Sequence, residues 1–458
     1  MLMVSLYDVF YVIAKNGRLG VKEVASELGK SSKEYQNVFN NILLLKRKNL
    51  VKKENKKISI VNSKRAQELF DLISFCLRNN INYNILLKDK MLSFLAEASK
   101  KEFFTNDDIK IQRKVIAPDF NPRELDFSCS KNSRLSEKRK ALPFRAGIAP
   151  SSEFLLHSET FRFYTDALSK YGFLIIISKN PLKCKLLKST FIIRLLKYFK
   201  KNPSFYVQKY RSHVPDITRE LKKYRRSMKI SAMPLNNIDK NREVGFIYSS
   251  LNLEGNPLTL PETEKLLIEN VVPEKQRLDA IEEAINYKMA IDKMMLNSKN
   301  KIPLKLDIIL SYHAIAMNRK EFAGKLRKEN VYIKANPKFV TSEWSDVEKK
   351  LNILLIKYND FESRKRDVSD TIKFAAYFHN EFQRIHPFID GNSRISRLLM
   401  LHILRMHALP VLELPLGYFD SYLDLTKRST KRDDERFNYL IEEIVLTNLK
   451  NLNNRMKE

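Results

Sequence analysis

Residues 386–397 read HPFIDGNSRISR. A histidine, an aspartate, an asparagine and two arginines crowd between two apolar, helix-patterned stretches. Upstream, DTIKFAAYFHNEFQR (370–384) is amphipathic, with Ile372, Ala375, Ala376, Phe378 and Phe382 predicted as core. Pro387 should stop that helix at His386, because a residue before proline disfavours the α region. Gly391 marks a turn, and a second helix should begin near Asn392–Ser393, burying Ile395, Leu398, Leu399 and Leu401. Free backbone N–H groups at its start, with the helix dipole, form an anion seat. Arg394 and Arg397 lie three apart, so both project from one side of the opening turns. Their planar forks suit phosphate oxygens. Asp390 can take one position on a magnesium ion that keeps waters and bridges phosphates. His386 can act as general base on an incoming hydroxyl. Read upward from the residues, this is a nucleoside-triphosphate site for phosphoryl or nucleotidyl transfer. No GxxxxGK[ST] or GxGxxG phosphate loop competes with it.

The stretch resembles the Fic (Fido) family signature HxFx[DE]GNGRxxR. HNEFQRIHPF is similar to the family's lead-in helix, SYHAIAMNRKEFAGKLRKENVYI to its upstream helix and the segment that follows, and YFDSYLDL to its closing helices. The likeness spans about Lys240–Leu449. It implies an all-helical core with a short β-hairpin flap, a protein adenylyltransferase that moves AMP from Mg-ATP to a Ser, Thr or Tyr hydroxyl. Carried over by position, His386 would be the catalytic base and Asp390 would hold Mg2+. Gly391, Asn392, Ser393 and Arg394 would seat the α- and β-phosphates. Arg394 would also stabilise the leaving pyrophosphate, and Arg397 would meet the γ-phosphate. Lys334–Val340, after Val331–Ile333, would form a flap that aligns a target segment by strand addition. Ser393 departs from the pattern, which has glycine there. A helical Ser393 fits, whereas a positive φ would cost about 1 kcal/mol or more and distort the seat.

Residues 249–256, SSLNLEGN, place a serine and a glutamate four apart on one helix face, with Gly255 able to end the helix. Beside such a core they resemble the family's inhibitory motif, [ST]xxxE[GN], here Ser250 through Gly255. The resemblance implies a helix at about 246–256 whose Glu254 pairs with Arg397 and restrains the enzyme.

The rest of the chain frames this core. Its 458 residues suggest two to four domains, and only 10 glycines with abundant Leu, Ile and Lys favour helix. The formal charge of +30 attracts polyanions, although a lysine-rich genome would produce the same excess. Cys76, Cys129 and Cys184 form no CxxC pair, so neither a zinc knuckle nor a disulfide framework is supported. No apolar run approaches the ~18 residues that span a bilayer. A soluble, cytoplasmic protein with no membrane partner is expected.

Residues 1–62 resemble a winged helix that would contact DNA. Helices are expected at Leu6–Lys15 and Val21–Leu28, with Gly29 ending the second. Ser32 should cap a third, with Tyr35, Val38, Phe39 and Ile42 inward, before two strands within Asn49–Val61. Residues 63–235 form an unassigned, basic α/β region. In it, 173–178 reads as a buried strand and 186–201 as one amphipathic helix with a cationic face, while 120–150 resembles a connector. From 236 on, the Fic domain with its preceding inhibitory helix is expected, so the fold class is mainly α. Two alternatives stay open: a DNA-binding regulator whose core is an inactive or nucleotide-sensing module, and transfer of another phosphate-containing group.

Overall fold

The computed structural model describes residues 4–29, 35–112, 153–205, 212–230, 235–333, 336, 339–429 and 431–456. The chain opens with α1 (Leu6–Asn16), α2 (Val21–Glu27) and α3 (Tyr35–Arg47). Ser5 and Asp8 form a capping box on α1. Gly29, at φ +62, turns the chain after α2. Ser32 lies outside the described residues. Val38 and Ile42 are buried as expected, while Tyr35 and Phe39 are only half-buried. β1 (Val51–Glu54) and β2 (Lys57–Ile60) pair antiparallel, and Leu19 bridges to Ile58.

Then follow α4 (Lys64–Arg78), α5 (Tyr83–Leu86), α6 (Asp89–Ala98), β3 (Lys110–Gln112), β4 (Glu153–Leu155), α7 (Ser158–Lys170), β5 (Leu174–Lys179), β6 (Leu182–Leu186) and α8 (Thr190–Tyr198). The strand expected at 173–178 is β5. The helix expected over 186–201 is shorter than its pattern, because Leu186 ends β6 and Ser189 caps α8. The expected connector at 120–150, with Cys129, lies outside the described residues.

One apolar core runs from Val4 to Leu196 without a break at residue 62. A unit of about sixty residues buries little by itself, and here α4, α6 and α8 complete its core. A second core holds most of the chain from Ile217 to Leu452, joined by Ile175 and Leu187. The two cores thus divide the chain between about 197 and 216 rather than at 62 and 235.

The second core is helical: α9 (Val214–Ile230), α10 (Leu235–Leu253), α11 (Leu260–Ile268), α12 (Leu278–Lys299), α13 (Leu306–Ala316), α14 (Val347–Ser363), α15 (Val368–Ile385), α16 (Asn392–Met406), α17 (Phe419–Leu425) and α18 (Asp434–Arg455). Helix α16 is its axis. Nearly every residue of α16 is buried, with α15, α12, α13 and α10 packed around it. A helix buried all round must be apolar or must find partners for its polar groups. Since Ser393, Arg394, Ser396, Arg397 and His402 are all buried on it, those partners define the site. Among the described residues, no helix is long and apolar enough to cross a membrane.

The expected β-hairpin flap falls partly outside the described residues. Among the described residues of 331–340 there is no strand. Asn336 N–H donates to the Ile333 carbonyl at 2.9 Å and Phe339 N–H to the Asn336 carbonyl at 3.0 Å. Val331 and Ile333 are half-buried in irregular chain, and Lys334 lies outside the described residues.

Candidate active site

Helix α15 ends at His386, which takes a left-handed conformation (φ 52, ψ 59). Pro387 does bar right-handed helix there, as expected, but the chain reverses rather than extends. Three anchors hold the reversed corner. Arg327, 2 % exposed, donates Nε to the His386 carbonyl at 2.7 Å, and its backbone N–H donates to the Pro387 carbonyl at 2.9 Å. The Asn392 side chain accepts from Phe388 N–H at 2.9 Å and donates back to the Phe388 carbonyl at 2.7 Å. His313 stacks on Phe388 with ring centroids 3.6 Å apart. Its Nδ1 accepts from Gly324 N–H, which leaves Nε2–H to donate to the Asp390 carbonyl at 3.1 Å.

The His386 ring is oriented in the same way. Nδ1 faces the Gln383 carbonyl at 3.1 Å, and a carbonyl only accepts, so Nδ1 carries the proton. Nε2 is then the basic nitrogen. Burial, seconded by the Arg327 and Lys427 charges, pushes the His386 pKa down to about 4. At neutral pH the ring is uncharged and can take a proton.

Gly391, at φ +80, caps α16 from the left-handed region that glycine adopts freely. No side chain caps the helix, so the first amides of the α16 turn remain as an anion seat. Ser393 lies inside the helix, outside the positive-φ region. Its Cβ therefore introduces no backbone strain.

Both arginines are buried, Arg394 at 6 % and Arg397 at 3 % exposure, and both are held by carboxylates. Arg394 pairs with Glu283 of α12 and, at 3.1 Å, with Asp390. Arg397 donates Nε to the Ser250 hydroxyl at 2.7 Å, and Nη2 to the Ser250 carbonyl and to Glu254, each at 2.9 Å. Lys427 grips the other Glu254 oxygen. Burial works to raise the Glu254 pKa, but Arg397 and Lys427 outweigh it and hold the carboxyl at about 2. Tyr287 links the arginines. Its hydroxyl donates to the Arg394 carbonyl and accepts from Ser250, each at 3.0 Å. One nitrogen of each fork, Arg394 Nε and Arg397 Nη1, is buried without a hydrogen-bond partner.

Asp390 stands exposed at the loop tip, accepting from Gly391 N–H at 2.6 Å through its other oxygen. Among the described residues, no group of three or more acidic, His or Cys side chains could hold a metal. A single reachable carboxylate does fit magnesium, which keeps most of its waters and takes further oxygens from phosphates. A cavity of about 180 Å³ opens beside the loop, lined in part by Ile333, Phe339, Gln383, Lys427 and Arg432.

The structure thus gathers His386, Asp390, Gly391, Asn392, Ser393, Arg394 and Arg397 with Ser250 and Glu254. Gly255 follows the helix end at φ +91. Sequence reading missed Arg327, Glu283, Lys427 and His313. Arg327 and His313 stand in the stretch quoted for the upstream likeness, and Lys427 lies just past YFDSYLDL. Glu283 has no motif around it.

Residues 303–404 match the sequence model of the Fic/DOC family. A curated relative, protein adenylyltransferase Fic of Drosophila persimilis, is 26% identical over 210 residues, 45% of this chain and 40% of that one. The protein of the same name in Drosophila willistoni is 26% identical over 194 residues, 42% and 38% of the two chains. The chain therefore spans about two fifths of the length of these relatives. Among solved structures, a Fic domain containing signaling protein from Bacteroides thetaiotaomicron covers 53% of this chain and 97% of its own, at 19% identity and a TM-score of 0.47. Fic-1 (residues 134–508) from C. elegans covers 53% and 72%, at 21% identity and a TM-score of 0.45.

Proposed function

From the premise that this chain carries a Fic domain, we propose that it is a protein adenylyltransferase restrained by its own Glu254. A Ser, Thr or Tyr oxygen of a target protein attacks the α-phosphorus of ATP. His386 Nε2 takes the hydroxyl proton as the new P–O bond forms. The bond from the α-phosphorus to the bridging oxygen breaks, and pyrophosphate leaves. The N–H groups opening α16 meet the α- and β-phosphate oxygens, Arg394 the departing pyrophosphate, and Arg397 the γ-phosphate. Asp390 would hold Mg2+, which neutralises phosphate charge when bound. The observation that carries the restraint is the 2.9 Å ion pair of Glu254 with Arg397. A phosphate must displace a buried carboxylate whose other oxygen Lys427 holds. A helical, strain-free Ser393 leaves the α16 start undistorted, which supports an active core.

The test is mass spectrometry of the full chain after incubation with Mg-ATP, for wild type and Glu254→Gly. We expect the variant to gain AMP at least tenfold faster, since breaking a buried pair removes well over about 1.4 kcal/mol of competition. Equal, non-zero labelling would rule out restraint. Labelling by a different nucleotide alone would move the reading to another transferred group.

We propose also that residues 1–62 are a winged helix that contacts DNA. Lys46, Arg47 and Lys48 at the end of α3 and Lys52, Lys53, Lys56 and Lys57 around the β1–β2 tip are all exposed. Binding to duplex DNA should weaken steeply with salt, and Lys52→Glu with Lys53→Glu should lower it. Unaltered binding by that pair would sink this reading.

A further inference from the structure

Helix α10 does not meet the site unaided. Its C-terminal end is held by the N-terminal core, at the last residues of α4. The Tyr248 hydroxyl donates to the Asn79 side-chain oxygen at 2.6 Å and lies 3.2 Å from the Arg78 carbonyl. Asn252 donates to the Tyr248 hydroxyl at 2.9 Å. Arg78 donates Nη2 to the carbonyl of Asn256 at 2.7 Å. These contacts bracket Glu254 on both sides in sequence.

Asn256 carries the connection inward. It is 5 % exposed, and its side-chain amide donates to the Ala280 carbonyl at 3.1 Å and to Glu283 Oε2 at 2.7 Å. The other Glu283 oxygen holds Arg394. An unbroken run of polar contacts therefore leads from Arg78 through Asn256 and Glu283 to Arg394. The same Asn256 stands two residues after Glu254, the group on Arg397. Both phosphate-facing arginines are thus fixed by carboxylates whose placement depends on one buried asparagine, and that asparagine is clamped by an arginine of the other core.

We propose that Arg78, with Asn79, is a positioning residue of the site. By pinning the turn at residues 254–256, the N-terminal core keeps Glu254 on Arg397, and whatever shifts α4 loosens that pair. This deepens the reading under Proposed function and rests on it. A charge-assisted bond to a buried carbonyl is of the stronger kind, and removing the donor leaves that carbonyl unmatched.

The experiment compares full-length wild type, Arg78→Ala, Glu254→Gly and the double variant. It reads Mg-dependent binding of a fluorescent ATP analogue and the rate of AMP gain. Arg78→Ala in the wild-type background should raise both by roughly tenfold or more, the factor at the low end for losing a hydrogen bond made by a charged group. In the Glu254→Gly background it should change neither, because the restraint is already gone. A merely structural role would lower both readouts in both backgrounds. Arg78→Gln, which keeps a donor, should fall back toward wild type. Should Arg78→Ala not fold, Asn79→Ala takes its place with the same expectation. Wild-type behaviour of the folded variant, or equal loss in both backgrounds, overturns the proposal. If Glu254→Gly gains no AMP at all, the proposed activity fails while the binding arm still decides the pinning.

Discussion

The loop of residues 386–392 and the segment of residues 331–340 both border the end of α15, and they are built in opposite ways. The loop is tied from three sides, by Arg327, Asn392 and His313, and its glycine sits where only glycine is at ease. The segment is anchored chiefly through Asn336, whose side chain reaches the Lys427 and Ser429 carbonyls at 2.9 and 2.8 Å. Tyr332 and Val340 turn outward, at 82% and 80% exposure. Preorganised groups stabilise a transition state without reorganising, whereas a surface that receives a polypeptide must leave edge and side chains free. The rigid region therefore carries the proposed chemistry, and the open one the proposed recognition.

The most severe test of that contrast falls on the rigid side. His386→Ala should lower AMP gain by about 10²–10⁴-fold, the usual worth of a general base, measured in the Glu254→Gly background. Mg-ATP binding should persist, since the ring's contact within the loop is to its own helix. Loss of binding together with transfer would mean that the histidine holds the loop up rather than acting in the reaction.

A second test is the acid limb of kcat/KM. With the His386 pKa near 4, the ring stays neutral and basic down to about pH 5. An ordinary histidine, near 6.5, would be almost wholly protonated there. At pH 5 the two cases differ roughly thirtyfold in active fraction. A midpoint near 6.5 would show the loop to be solvated and less rigid than described. The stability consequence has a definite sign. The folded pKa lies below the unfolded one, so the unfolded chain binds more protons between about 4 and 6.5, and stability falls as pH drops through that window. Glu254, held at about 2, keeps its charge throughout, so acid in this range does not release the restraint.

The two regions also differ in how far sequence could read them. The α15 core positions and the α16 start follow from helical period, a proline and a glycine, all local signals, whereas the Glu254–Arg397 pairing, 143 residues apart, was expected only from the family resemblance. Ser393 needed the backbone, because residue type alone does not say whether φ is positive. Lys427 and Glu283 reach their partners Glu254 and Arg394 from 173 and 111 residues away; Lys427 lies just past a quoted stretch, and nothing near Glu283 in sequence marks such a partner. The flap was expected only from the family resemblance, carried over by position; among the described residues of 331–340 there is no strand. Cores, too, are non-local: residues 1–62 read as a unit, yet share their apolar interior with α4 to α8.

The gentlest perturbation sharpens the contrast most. Asn392→Ala strips partners from the Phe388 N–H and carbonyl in a buried loop, at about 1–3 kcal/mol each, so urea denaturation should show a loss of ~2–6 kcal/mol. Tyr332→Ala removes a larger side chain from the other region. At 82% exposure that ring has little burial to lose, and its removal should stay within about 0.5 kcal/mol of wild type. Mg-ATP binding should be unchanged as well, because no group facing phosphate is touched. What should fall is the rate at which a polypeptide acceptor is labelled, through KM rather than kcat, since a docking contact is lost and the base is not. A drop in stability above 1 kcal/mol for Tyr332→Ala would mean the segment is packed into the site, and the division between a fixed catalytic corner and an open receiving edge would not hold.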